Sequence, residues 1–266
     1  MNKLMTRIYL CICLFFYMVQ SSNAHTTRIL FIGNSFTHMH NFTTMVSELA
    51  SFSNDTIVTE QSAFDSHTLE KHSTTEETLQ KIALSCWDYV VLQEQSQRPV
   101  MDEITFQEKT LCFANKLDSI IHFHNPNAQT LLFMTWGRKF GDRELYKKFP
   151  YCSSYSGMQD KLAERYWLLG SKLAAAVIPC GIAWKYFQEE HYINLFDEDL
   201  KHPNIVGSYL NACMFYSYLT KKTPEGILYN PAGLEKKDLL VLQKKAFETV
   251  KLYFPTFFNE NIKQNN

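Results

Sequence analysis

Short apolar runs alternate with stretches of helical period along this chain, and that alternation limits the folds open to it more than any other feature. Residues 28–32, 56–59, 87–92, 130–135 and 175–178 read as strands. Residues 42–52, 75–84, 103–123, 158–173, 181–190, 206–219 and 236–253 carry the spacing of helices, with Phe42, Met45, Val46 and Leu49 on one face of the first. The clearest strands, around Ile29-Leu30-Phe31-Ile32 and Val90-Val91-Leu92, are apolar on both faces. Strands of that kind belong to a parallel sheet covered by helices on each side. The expected architecture is a three-layer α/β/α sandwich around a parallel sheet of about five strands. In such sheets ligands sit beyond the carboxyl ends of the strands. Three polar segments fall there: Gly33-Asn34-Ser35, the stretch QEQSQRP from Gln93, and the stretch WGRKFGD from Trp136. Residues 137–157 form a long polar, aromatic loop, and loops of that length in compact domains are often functional.

Composition narrows the partners. Formal net charge is −1 and no basic block occurs, which argues against nucleic acid and anionic membrane surfaces. Lys3 and Arg7 precede an apolar core from Ile8 to Val19, followed by Gln20-Ser21-Ser22-Asn23-Ala24. This is the order of a secretory signal peptide cleaved after Ala24. The core is shorter than the roughly 20 apolar residues that span a bilayer. Residues 1–24 are therefore read as a leader and 25–266 as one domain, exported or periplasmic and not stably inserted in a membrane. Beyond the leader stand Cys86, Cys112, Cys152, Cys180 and Cys213. None forms a CxxC pair, which argues against a zinc knot; export permits a disulfide, but no pair is named. His67 with His72, and His122 with His124, lack a third ligand at metal spacing. No cofactor or metal is expected.

The abrupt stop of the first strand at Gly33-Asn34-Ser35 presents a serine where the sheet ends. Serine is a weak nucleophile without a base, and the base needs an acceptor to orient it. The stretch DEDLKHP supplies both: Asp199 lies three residues before His202, and Pro203 keeps His202 out of the following helix. Asp197 and His191 are competitors with less suitable spacing. No Gly-x-Ser-x-Gly elbow and no phosphate-cradling glycine loop is present.

With FIGNSFT at the first strand and DEDLKHP before a late helix, the chain resembles the SGNH (GDSL-type) hydrolases. The resemblance covers most of residues 25–266 and implies a flavodoxin-like fold, with Ser35 as nucleophile, His202 as general base and Asp199 as the residue that orients it. Asn34 stands where that family usually has Asp. The second block, EQSAFDSHTL, lacks the usual glycine, and Ala63, Phe64 or Ser66 is left to offer a backbone N–H. The third block aligns Gln95 with the family's asparagine, with Gln93 and Gln97 as neighbours. An oxyanion hole from the Ser35 N–H, a second-loop N–H and the Gln95 amide follows.

Trp136 and Arg138 are the candidate substrate contacts, the indole stacking on a sugar and the guanidinium meeting a carboxylate or sulfate, with packing under the loop as the alternative for Trp136. His38 and His40 flank the nucleophile turn, and capping is the favoured reading for both. The expected function is a secreted serine esterase that removes an acyl group, most simply acetyl, from a carbohydrate. A lipase- or thioesterase-like acyl hydrolase and a non-catalytic glycan-binding protein are the alternatives.

Overall fold

The computed structural model describes residues 26–259, so the leader read over 1–24 lies outside the described residues. Five strands form one parallel sheet: β1 (Thr27–Gly33), β2 (Ile57–Ala63), β3 (Tyr89–Leu92), β4 (Gln129–Phe133) and β5 (Ala176–Ile178). Their order is β2-β1-β3-β4-β5. The helices are α1 (Phe42–Ser51), α2 (Glu76–Ala83), α3 (residues 103–124, with a π-helical turn at Gln107–Leu111), α4 (Tyr155–Leu173), α5 (Cys180–Glu190), α6 (Ile205–Thr220) and α7 (Lys236–Tyr253). Among the described residues no helix is long and apolar enough to cross a membrane.

Side chains of a strand alternate between faces, and the two cores follow that rule. Ile29 and Phe31 point into one cluster with α1, α5, α6 and α7, while Leu30 and Ile32 point into the other with α2, α3 and α4. Burying one such side chain contributes about 1.5–3 kcal/mol, so both helix layers are held by the same short strands. Helix α6 is enclosed along most of its length, from Gly207 to Tyr218, as expected of a helix that is apolar all round.

Differences from the sequence reading are local. Strand β2 runs four residues beyond Thr59, to Ala63. It is the edge strand, and the polar residues Glu60, Gln61 and Ser62 break the apolar run there. Short helices at Ser35–His38 and Leu69–His72 were not expected. The 137–157 segment is tied down: Asp142 Oδ1 accepts the N–H groups of Glu144 and Leu145, and the Tyr151 hydroxyl donates to Val100 O at 2.7 Å. All five cysteines among the described residues are free, three of them buried.

Strand order reverses between β1 and β3, because β2 lies on one side of β1 and β3 on the other. Loops leaving the two strands diverge there and open the crevice that α/β sheets use for ligands.

Candidate active site

Gly33 ends β1 against a crowded floor. A Cβ at this position would sit 2.3 Å from Thr37 Oγ1 and 2.5 Å from Gln93 Oε1. Those atoms are themselves engaged: Gln93 Oε1 accepts from the Asn34 N–H and the Thr37 hydroxyl, each at 2.9 Å. Asn34 Oδ1 then caps the Ser35–His38 helix by accepting from the Phe36 N–H at 3.1 Å. Its Nδ2 donates to His67 O at 3.0 Å. The Nδ2 bond is one that an aspartate carboxylate could not donate. Gly33→Ala is expected to destabilise by about 1–3 kcal/mol through overpacking. A thermal melt would read this as a fall of about 2–4 °C per kcal/mol.

Below the turn lies His72, fully buried. Its Nε2–H donates to Gly33 O at 2.7 Å and its Nδ1 accepts from the Thr78 hydroxyl at 2.8 Å. Burial pushes the ring's pKa down to about 4 against the opposing pull of the Gly33 hydrogen bond, so the ring stays neutral. Nothing in the sequence marks this residue as a support of the serine turn.

The second half of the site comes from the segment before α6. A bridge between Phe196 and Pro203 closes a tight loop, with the Asp197 N–H donating to His202 O at 2.9 Å. Inside it Asp199 Oδ1 accepts the N–H groups of Lys201 (3.1 Å) and His202 (2.9 Å), a turn that the short Asp side chain is built to make. Asp199 Oδ2 takes the remaining role, accepting from His202 Nδ1–H at 2.5 Å. That fixes the tautomer and leaves Nε2 as an acceptor, and the Ser35 hydroxyl donates to it at 2.8 Å. Burial opposes the Asp199 charge, but the hydrogen bonds from His202 and Lys201 outweigh it and hold the carboxyl below its ordinary pKa. His40 Nε2–H donates to Pro203 O at 3.1 Å, joining the serine segment to the histidine loop. Asp197 and His191 lie outside this relay: Asp197 Oδ1 accepts from the Glu198 N–H, and His191 stands at the end of α5 beside Glu190.

Trp136 corrects the sequence reading. It is 1% exposed and stacks between Phe36 (4.7 Å between centroids) and Trp184 (3.9 Å), so no sugar can reach its face. Its Nε1–H donates to Lys201 O at 3.1 Å, and the edge of Phe36 meets the His202 ring. The indole thus braces the histidine loop.

A cleft of about 80 Å³ lies over the serine, lined by Asn34, Ser35, Phe36, Ser66, Gln95, Ser96, Arg138, Lys201 and His202. Of the three glutamines, Gln95 faces it. Gln93 is buried under the turn, and Gln97 Nε2 is taken by Asp142 (2.8 Å) and Glu144 (3.1 Å). Gln95 Oε1 caps its own turn by accepting from the Gln97 and Arg98 N–H groups, and its Nε2 gives one hydrogen to Gln97 Oε1. An amide nitrogen carries two hydrogens, so one donor remains. In the second loop the Phe64 N–H is taken by Gly33 O at 3.3 Å, whereas Ser66 lines the cleft. Ser66 has φ 57°, the left-handed conformation for which glycine is the usual residue. Ser66 is thus the second-loop residue that reaches the cleft, in a conformation that glycine usually takes.

Arg138 forms the wall between this cleft and a second one of about 310 Å³. Its Nε lies 3.1 Å from the buried Asp142 carboxylate, a charge contact rather than an aligned hydrogen bond. The second cleft carries exposed Phe140 together with Arg143 and Leu200. No group of His, Cys, Asp and Glu among the described residues could hold a metal ion.

No family model matches this chain, and no curated relative does. Solved structures do. A DUF4886 family protein from Bacteroides uniformis superposes with TM-score 0.73 at 17% identity over 87% of this chain and 96% of that one. A candidate SGNH hydrolase from Slackia heliotrinireducens gives TM-score 0.60 at 22% identity over 73% of this chain and 100% of its own. The acetylxylan esterase Axe2 from Geobacillus stearothermophilus gives 0.52 at 13% identity, over 80% and 99%. The chain has the three-layer fold of the SGNH-type hydrolases.

Proposed function

We propose that the protein is a serine ester hydrolase that removes a short acyl group, acetyl in the simplest case, from a carbohydrate. One observation carries this reading: a serine and a D-x-x-H pair 167 positions apart in the chain meet as an aligned relay over a polar cleft. Ser35 Oγ attacks the acyl carbonyl carbon while its proton passes to His202 Nε2. Negative charge gathers on the carbonyl oxygen, where the Ser35 N–H, the Ser66 N–H and the free Gln95 amide hydrogen meet it. Collapse breaks the bond to the alcohol, which leaves with the proton from His202. Water, deprotonated by His202, then releases the acid and restores the serine. Asp199 holds the imidazole and offsets its charge in both halves.

The cleft over Ser35, about 80 Å³ and lined mostly by polar groups, supports a small acyl group such as acetyl. The wider neighbouring cleft, with Phe140 exposed beside Arg138, suits the sugar on the leaving side. A secreted or periplasmic location is part of this proposal, and the leader-like residues 1–24 support it.

The test is hydrolysis of 4-nitrophenyl esters of increasing chain length, followed by acetylated xylo-oligosaccharides. Acetate should be preferred over decanoate, and Gln95→Ala should lower kcat on acetate by about 10²-fold, as loss of one oxyanion donor does. Faster turnover of decanoate would support the lipase-like alternative. Tight glycan binding with no turnover of any ester would support a lectin-like role.

A further inference from the structure

Glu94 sits between Gln93 and Gln95, directly behind the third-block turn, and is 1% exposed. Its Oε1 accepts two backbone N–H groups from different loops, Gln95 at 2.7 Å and Leu69 at 3.3 Å. Leu69 begins the short helix that follows the Ser66 segment. One carboxyl oxygen thus pins both loops that flank the cleft. Its other oxygen, Oε2, is buried and has no hydrogen-bond partner. We propose that Glu94 is a positioning residue: it fixes the Ser66 and Gln95 loops relative to each other, and so sets the spacing of the donors that would meet the oxyanion. That catalytic consequence rests on the esterase reading above; the structural part does not.

The surroundings favour the neutral form. The cation that acts on Glu94 is Arg98, whose guanidinium pairs with Glu70 at 3.2 Å, and Glu70 also holds Lys109 at 2.8 Å. From α4, Tyr166 brings its hydroxyl against Glu94 and Thr135 without an aligned hydrogen bond. Burial pushes the pKa of Glu94 up to about 8 against the pull of the two N–H donors and of the Arg98 charge. Ionisation would place an unpaired charge on a buried oxygen, which is costly enough to displace the loops.

Glu94→Gln retains an oxygen for both N–H groups and cannot ionise. On 4-nitrophenyl acetate the wild type should lose kcat above a pH of about 8, and Glu94→Gln should not. Glu94→Ala should lower kcat by about 10²-fold with a smaller change in KM, because it frees the loops without touching the acyl group. Amide resonances of Gln95 and Leu69 give a readout that needs no activity. Followed by NMR in Ser35→Ala protein, they should titrate together near pH 8 and stay flat when Glu94→Gln is added. Resonances that titrate in the ordinary carboxylate range, or that titrate unchanged with Glu94→Gln present, would overturn the assignment. So would an alkaline limb that survives Glu94→Gln. Absence of esterase activity in the wild type would remove the proposed function and leave the NMR result to decide the role of Glu94.

Discussion

Ser35→Ala is expected to reduce hydrolysis of 4-nitrophenyl acetate by on the order of 10⁴- to 10⁶-fold, the range seen when a triad nucleophile is lost. The hydroxyl makes its one hydrogen bond among the described residues to His202 Nε2. The turn around it is held by Gly33, Asn34, Gln93 and His72 through other atoms. The variant should therefore melt within about 1 °C of the wild type, since a partly exposed contact of this kind is worth little to stability. A stopped assay with intact folding would assign the chemistry to this oxygen. Activity that persisted undiminished in pure Ser35→Ala protein would sink the acyl-enzyme mechanism outright.

The second large effect concerns the acid. Asp199→Asn should lower kcat by roughly 10⁴-fold while leaving the backbone in place. An asparagine Oδ1 can still accept from the Lys201 and His202 N–H groups, so the turn survives. Its amide hydrogens, however, face His202 Nδ1 where the carboxylate accepted, which favours the tautomer with the proton on Nε2. That ring can no longer take the Ser35 proton. Acid titration gives an independent check. The folded Asp199 has a lowered pKa, so its contribution to stability is complete above the ordinary Asp value near 4 and fades as pH falls through the lower folded value. Melts of wild type and Asp199→Asn should converge on acidification below that point. The carboxylate is 39% exposed, so the difference at neutral pH will be small beside the kinetic effect.

The order of elements was legible because burial on both faces leaves long apolar runs. All five strands and all seven long helices lie where those patterns put them, to within a few residues at most ends. Edge strand β2 was cut short for the converse reason, since polar Glu60, Gln61 and Ser62 interrupt the apolar run that marks the buried strands. The meeting of Ser35, His202 and Asp199 was anticipated from local chemistry: a glycine-serine stop after a strand, and an Asp three residues ahead of a histidine held in its loop by proline. Trp136 was misassigned because an aromatic in a loop reads the same whether it faces a sugar or a neighbouring ring. Only its packing between Phe36 and Trp184 decides.

His72 and Glu94 had no signal of their own, and Ser66 was only one of three candidates for the second-loop N–H. A histidine beneath a strand end, a carboxyl sealed behind a loop and a serine in the left-handed region are defined by what surrounds them, and those neighbours come from distant segments. The periodicity of apolar residues and the local D-x-x-H turn were set by the sequence alone, because both depend on residues within a few positions of one another. The approach of Ser35 to His202, the burial of Trp136 and the sealing of Glu94 were decided only by the tertiary structure, because each depends on which distant groups are close in space and whether water can reach them.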